Sequence, residues 1–188
     1  MTGGLRTLVE YCGAVPFADA VVALDWALRH KEEGLTASPT MIGLMLEAIA
    51  SVRKRPRILR ALEFADPLSE SPGESLSRVV LHQLGFPPPV LQQRFEDWKG
   101  VIGRADFWWP EHGVIGEFDG AVKYNESRYT GGRLPKEVLM AEKRRENRLR
   151  ALGPRIARWD WPAANRPDEL RGLLIEAGLP LERGRKRR

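Results

Sequence analysis

Between Gly103 and Tyr124 the chain reads GRADFWWPEHGVIGEFDGAVKY, and this stretch places carboxylates inside strand-like apolar text. Asp106 lies within ADFWW, and Glu117 and Asp119 flank Phe118 ahead of Gly120. A desolvated carboxylate is costly unless it is paired or binds a cation, so these residues restrict what the segment can become. The turn-forming PEHG between the two apolar runs predicts a β-hairpin: strand 101–108, turn 110–113, strand 114–119. Residues two apart on a strand share a face, so Glu117 and Asp119 point the same way, and the turn brings Asp106 back towards them. Three oxygen donors with Lys123 nearby suit a Mg²⁺ ion and a phosphate. The alternative is a hairpin with solvated acids at its ends.

The rest of the chain is an ordinary globular sequence of 188 residues, 43% hydrophobic and 29% charged, enough for one domain and a small appendage. No apolar run is long enough to span a membrane. The N-terminus lacks the charged-then-apolar layout of a secretory signal, and a single cysteine, Cys12, suits a reducing compartment; the expected location is cytoplasmic. The formal charge of +5 equals the five charges of Arg183, Arg185, Lys186, Arg187 and Arg188, so the body is balanced and the basicity is largely that of a tail.

Apolar spacing predicts helices over 5–12, 16–30, 41–52 and 58–65, a helical segment covering about residues 1–66. Ser38 and Pro39 read as cap and first-turn proline of the third helix. RKRPR, at 53–57, reads as a linker or a phosphate contact. DPLSES marks a boundary. Beyond it a helix runs from Ser71 to Leu84, stopped by Gly85 and the three prolines at 87–89. Glu74 is either the glutamate of a Ser-x-x-Glu capping box or an acid reaching a metal; spacing alone favours the cap. Arg78, one turn on, can share its face.

A strand over 90–95 precedes the hairpin, and Tyr124 to Pro135 reads as an exposed flap. The helix expected over 136–152 has Val138, Ala141, Arg145, Leu149 and Leu152 inward. Lys143, Arg144, Arg145, Arg148 and Arg150 on it would follow a phosphate backbone or form salt bridges on a solvated face. A fourth strand, 155–161, carries Ala157, Trp159 and Trp161 on one face, and a closing helix spans 167–177. Nothing has zinc spacing, a phosphate-cradling glycine loop or a nucleophile triad.

This order, helix, three strands, helix, strand, helix, together with Asp106 and Glu117-Phe118-Asp119-Gly120, resembles the PD-(D/E)xK nuclease superfamily. The runs GEFDGAVKY, AEKRRENRLRALG and RIARWDW are similar to its very-short-patch-repair-like branch. The likeness is to the endonuclease-like domain of actinobacterial AbiEi-type (type IV toxin–antitoxin) proteins, without their N-terminal winged helix. The resemblance implies an α/β (α+β) restriction-endonuclease-like core, α-β-β-β-α-β-α, over about 67–178, preceded by the helical segment and followed by a basic tail at 179–188. It implies that Asp106 and Glu117 hold Mg²⁺ or Mn²⁺, with Glu74 as the helix-borne acid. Asp119 stands where the superfamily has lysine, and Lys123 would supply that amine. Candidate DNA contacts are Arg78, Arg104, Lys143, Arg144, Arg145 and Arg148, with Trp108 or Trp109 as a wedge. The expected function is a metal-dependent DNA endonuclease in repair or phage defence; the alternative is a catalytically silent DNA-binding regulator or antitoxin-like module. DNA is the expected partner, with a protein partner or homodimer as further options.

Overall fold

The computed structural model describes residues 3–30, 37–49, 51–120 and 135–182. The chain forms two compact units, Met1–Val79 and Val80–Arg188, and the division falls inside a helix, not at DPLSES.

The first unit is helical: α1 (Gly4–Cys12), α2 (Phe17–Arg29), α3 (Pro39–Ile49), α4 (Arg55–Phe64) and the first half of α5 (Pro72–Leu84). Ser38 caps α3 as expected, its hydroxyl accepting from Met41 N–H at 3.2 Å. RKRPR is no linker: Arg55 to Arg57 are the first turn of α4, with Pro56 where a missing N–H costs nothing. Val21, Leu24, Leu28, Ile42, Leu46 and Ile58 form the core. Cys12 is fully enclosed there; burial pushes its thiol up to about 11, so it stays protonated and unreactive.

The second unit is built on a four-stranded sheet in the order β1 (Val90–Asp97), β2 (Gly100–Trp109), β3 (Val114–Phe118), β4 (Arg155–Trp159). The mixed α+β class is therefore as expected. The first three strands are antiparallel neighbours and β4 joins β3 in parallel, after the crossover that contains α6 (Pro135–Ala151). PEHG makes a 3₁₀ turn closed by Gly113, whose carbonyl receives Arg155 N–H at 2.9 Å and starts the parallel ladder.

On one face of the sheet, Ile115, Trp108, Phe95 and Ile156 pack with Leu149 of α6. The opposite face carries an aromatic layer in which Phe107 stacks on Trp109 and on Trp159, with centroids 6.3 and 5.2 Å apart. Two expectations are corrected here. Trp161 does not continue β4. Asp160 leaves the strand and caps a short helix, α7 (Trp161–Ala164), by accepting from Ala163 N–H at 3.1 Å. Leu179 is buried and Glu182 N–H bonds the Gly85 carbonyl, so the chain remains part of the unit beyond α8 (Pro167–Glu176); the tail arginines lie outside the described residues.

Gly116 is what lets the aromatic layer close on β3. A Cβ there would come 2.6 Å from Trp159 and 3.0 Å from Trp109, and both rings are buried. Neither can retreat. Gly116→Ala should therefore cost about 1–3 kcal/mol, the usual penalty for overpacking, and lower the thermal midpoint of the second unit. An unchanged midpoint by calorimetry would show that the layer is looser than its contacts indicate.

Candidate functional site

Asp106 occupies a break in the sheet. On its β1 side the register runs Leu91 opposite Phe107 and Gln93 opposite Ala105, with Gln92 between them facing Asp106. Gln92 has φ +51°, a left-handed backbone that a residue with a long side chain seldom adopts. On the β3 side the regular pairing ends at Phe107 opposite Gly116. One step further the register sets Asp106 opposite Glu117, and a side chain takes over the ladder: Phe118 N–H donates to Asp106 Oδ2 at 2.8 Å. Gln92 Nε2 reaches Asp106 Oδ1 at 3.4 Å. Strain of this kind costs about 1–3 kcal/mol and gathers at functional positions.

Glu117 lies on the same face, its side chain only 12% exposed, and each of its carboxylate oxygens meets a guanidinium. Arg145 Nη2 donates to Oε1 at 2.8 Å, and Arg158 Nη2 is 2.8 Å from Oε2. Parallel pairing sets Arg158 on β4 directly beside Glu117 on β3. Glu142 and Glu146, one turn apart on α6, extend the cluster. Glu142 Oε1 takes both Arg145 and Arg158, at 3.1 and 2.9 Å, and Glu146 pairs with Arg158 at 3.3 Å and with Arg150 at 2.8 Å. Arg158 Nε is buried with no acceptor among the described residues.

Burial works against both arginine cations, but the carboxylates outweigh it. Glu117 and then Glu142 hold the Arg145 pKa above its ordinary value; Glu117, Glu146 and Glu142 do the same for Arg158. The hydrogen bond from Arg150 holds the Glu146 carboxyl below its ordinary value, helped by the charge of Arg158. The inward face of α6 is thus ionic rather than apolar. Leu149 is buried as expected, whereas Ala141 and Leu152 are exposed.

The other expected site residues disperse. Asp119 is half-buried beside Glu117, its backbone N–H tied to the Trp159 carbonyl at 2.7 Å. Lys123 and the flap lie outside the described residues, apart from Pro135, which opens α6. Glu74 belongs to the first unit and makes the cap: it accepts from Glu70 N–H and from the Ser71 hydroxyl, both at 2.8 Å. The backbone partner is Glu70, where the spacing had pointed to Ser71. Arg78 is no phosphate contact; it is 9% exposed and bound to buried Asp25 within the first unit. Arg104 is exposed, and its carbonyl accepts from Arg145 at 2.7 Å. Lys143 and Arg144 are exposed on α6. Arg148 grips Asp97 through both carboxylate oxygens, at 2.8 and 2.6 Å, and that hydrogen-bonded pairing holds the Asp97 carboxyl down at about 2.

Neither central tryptophan is a wedge. Trp109 is buried and donates to the Pro87 carbonyl at 2.8 Å, and Trp108 packs edge-on against Phe95. The most exposed tryptophan is Trp98, in the β1–β2 turn.

Among the described residues no three of histidine, cysteine, aspartate or glutamate gather as a metal-holding group. Asp106 and Glu117 remain a fit for Mg²⁺ in number and kind, because that ion is usually held by one or two carboxylates with water and substrate oxygens. Glu117 would have to release at least one arginine to serve.

No protein-family model matches the chain, and no solved structure matches it. The chain is similar to two uncharacterized proteins of Mycobacterium tuberculosis, from the strains CDC 1551 / Oshkosh and H37Rv. Each is 35% identical over 150 residues, covering 78% of this chain and 49% of the relative. The chain thus spans about half the length of the curated relatives it matches. Among the described residues no helix is long and apolar enough to cross a membrane.

Proposed function

We propose that the second unit is a restriction-endonuclease-like domain and that the chain is a metal-dependent DNA endonuclease of the kind its sequence resembles. The observation that carries this reading is the break in the sheet at Asp106. Two carboxylates stand opposite each other on adjacent strands, beside a strained Gln92 and a ladder that a side chain completes. A fold that needed only stability would place an apolar pair there.

Asp106 and Glu117 would hold Mg²⁺ or Mn²⁺, which when bound supplies charge neutralisation at the scissile phosphate and a water of lowered pKa. The chain's own groups do the rest. The Phe118 amide orients Asp106. Arg145 and Arg158 hold Glu117 in position before the ion arrives. Lys143 and Arg144 offer charge to the phosphate backbone. Lys123 would steady the phosphate or orient the water, and Asp119 would assist at the ion.

A second reading is favoured by one observation: both oxygens of Glu117 are already occupied by arginines. Together with Asp119 in the lysine position, this suits a catalytically silent DNA-binding regulator or antitoxin-like module. One assay separates the two. Supercoiled, linear and mismatched DNA are incubated with the chain in Mg²⁺, Mn²⁺ or EDTA, beside Asp106→Asn. The endonuclease reading expects cutting that needs the metal and is lost in the variant. Absence of cutting, or equal cutting by Asp106→Asn, overturns it; DNA binding that is steep in salt and indifferent to EDTA establishes the silent module.

A further inference from the structure

The β1–β2 turn, Asp97-Trp98-Lys99-Gly100, is built with more care than a surface connection needs. Gly100 closes it at φ +99°, a conformation glycine supplies without strain. Lys99 N–H donates to Asp97 Oδ1 at 2.7 Å. Arg148 of α6 forks onto the Asp97 carboxylate and continues to the Gly100 carbonyl at 3.0 Å. The turn is therefore strapped to a helix from one side and braced from within. What it presents is a tryptophan that is 88% exposed, with the Lys99 ammonium 4.7 Å from the ring centroid.

We propose that this tip is a base-stacking wedge. In this assignment the Trp98 ring enters a DNA base step while Lys99 rests on the neighbouring phosphate. The inference rests on the DNA-binding half of the proposed function. Three observations favour a nucleic acid as the occupant. The aromatic face comes with a cation, the pairing that bases and phosphates need together. The helix that straps the tip through Arg148 also reaches Glu117 through Arg145 and exposes Lys143 and Arg144, so one basic element borders both places. Six residues of β2 separate the tip from Asp106, about 20 Å at strand rise, which corresponds to about six base-pair steps. A protein pocket would be expected to take a wider apolar patch than Trp98 and half-exposed Val101 provide.

The full chain is titrated, in metal-free buffer, against duplexes carrying 2-aminopurine at successive positions. The intact protein should brighten the probe at one step, as unstacking does. Trp98→Ala should weaken binding about 10-fold or more and abolish the brightening, and Trp98→Phe should restore most of both. The thermal midpoint of Trp98→Ala should match the parent, because the ring is exposed. If the intact chain binds DNA and Trp98→Ala binds equally well with the same probe signal, the wedge is wrong and the DNA reading stands. If the intact chain binds no duplex, both fall. Tryptophan fluorescence that depends on Trp98 and responds to phosphatidylglycerol vesicles, but not to DNA, would assign the tip to a lipid surface and overturn the wedge.

Discussion

Replacing Glu117 with glutamine should weaken the second unit and remove metal-dependent cleavage together. The carboxylate answers two half-buried guanidinium groups, each at 2.8 Å, and an amide of the same size offers one acceptor and turns a donor towards a cation. Removing one member of a fully buried ion pair costs about 3–5 kcal/mol. Here the arginines are partly solvated and keep Glu142 and Glu146, so about 1–3 kcal/mol is expected, read from urea or thermal unfolding. On the proposed endonuclease reading Glu117 is a metal ligand, and its loss should lower cleavage by about 100-fold or more, beyond the 10- to 100-fold typical of losing a partner behind the ligands. Arg158→Gln separates the two effects. It frees Glu117 Oε2 and disturbs Glu142 and Glu146, so it should lower stability while raising Mn²⁺ affinity, followed by calorimetric titration. If Glu117→Gln destabilises the fold and Arg158→Gln leaves metal affinity unchanged, Glu117 is a structural ion-pair partner and the endonuclease reading fails.

The acids could be found in the sequence because a carboxylate in an apolar strand is a local anomaly. Asp106 and Glu117 needed only the hairpin to face each other, and PEHG announced the hairpin. The arginines that occupy Glu117 could not be found that way. Arg145 lies 28 positions away on a helix whose charges alternate in sign, and such a pattern reads equally as solvated face or groove. Only the parallel crossover, which sets Arg158 against Glu117, turns that helix face inward. Gln92 gave no warning at all, since nothing in its neighbours demands a left-handed backbone; it lies where the β1–β2 register skips the position opposite Asp106. Trp161 leaves the strand although its alternation with Ala157 and Trp159 fits one, because Asp160-Trp161-Pro162 spells a helix start that outweighs the alternation. The candidate site was legible where chemistry was local and hidden where it depended on register.

Arg78→Ala should be the most damaging substitution in the first unit. Arg78 sits 9% exposed and Asp25 1% exposed, with Nη1 to Oδ2 at 2.9 Å. The same guanidinium donates to Ser69 Oγ at 3.0 Å and to the Phe64 carbonyl, and lies 4.9 Å above the Phe64 ring. Alanine strands the Asp25 carboxylate in the helical core, where Asp66 N–H at 2.7 Å is a remaining donor. A cost of about 3–5 kcal/mol follows, enough to unfold a small helical unit ahead of the rest in a urea titration. The pH dependence gives a second signature. Burial already pushes the Asp25 carboxyl above 3.8, and the charge of Arg78 is the strongest influence opposing that rise. Without it the folded pKa climbs further. A raised carboxyl pKa means the folded state binds the proton more tightly, so the deficit is full at neutral pH, above the folded pKa. It shrinks as pH falls through that value towards the unfolded one. Arg78→Ala should therefore recover part of its lost stability on mild acidification, and recover more than the parent, whose Asp25 carboxyl is raised less because Arg78 opposes the rise. A variant that melts like the parent at every pH but binds DNA more weakly would place Arg78 on a nucleic-acid surface and refute its role as the buried partner of Asp25.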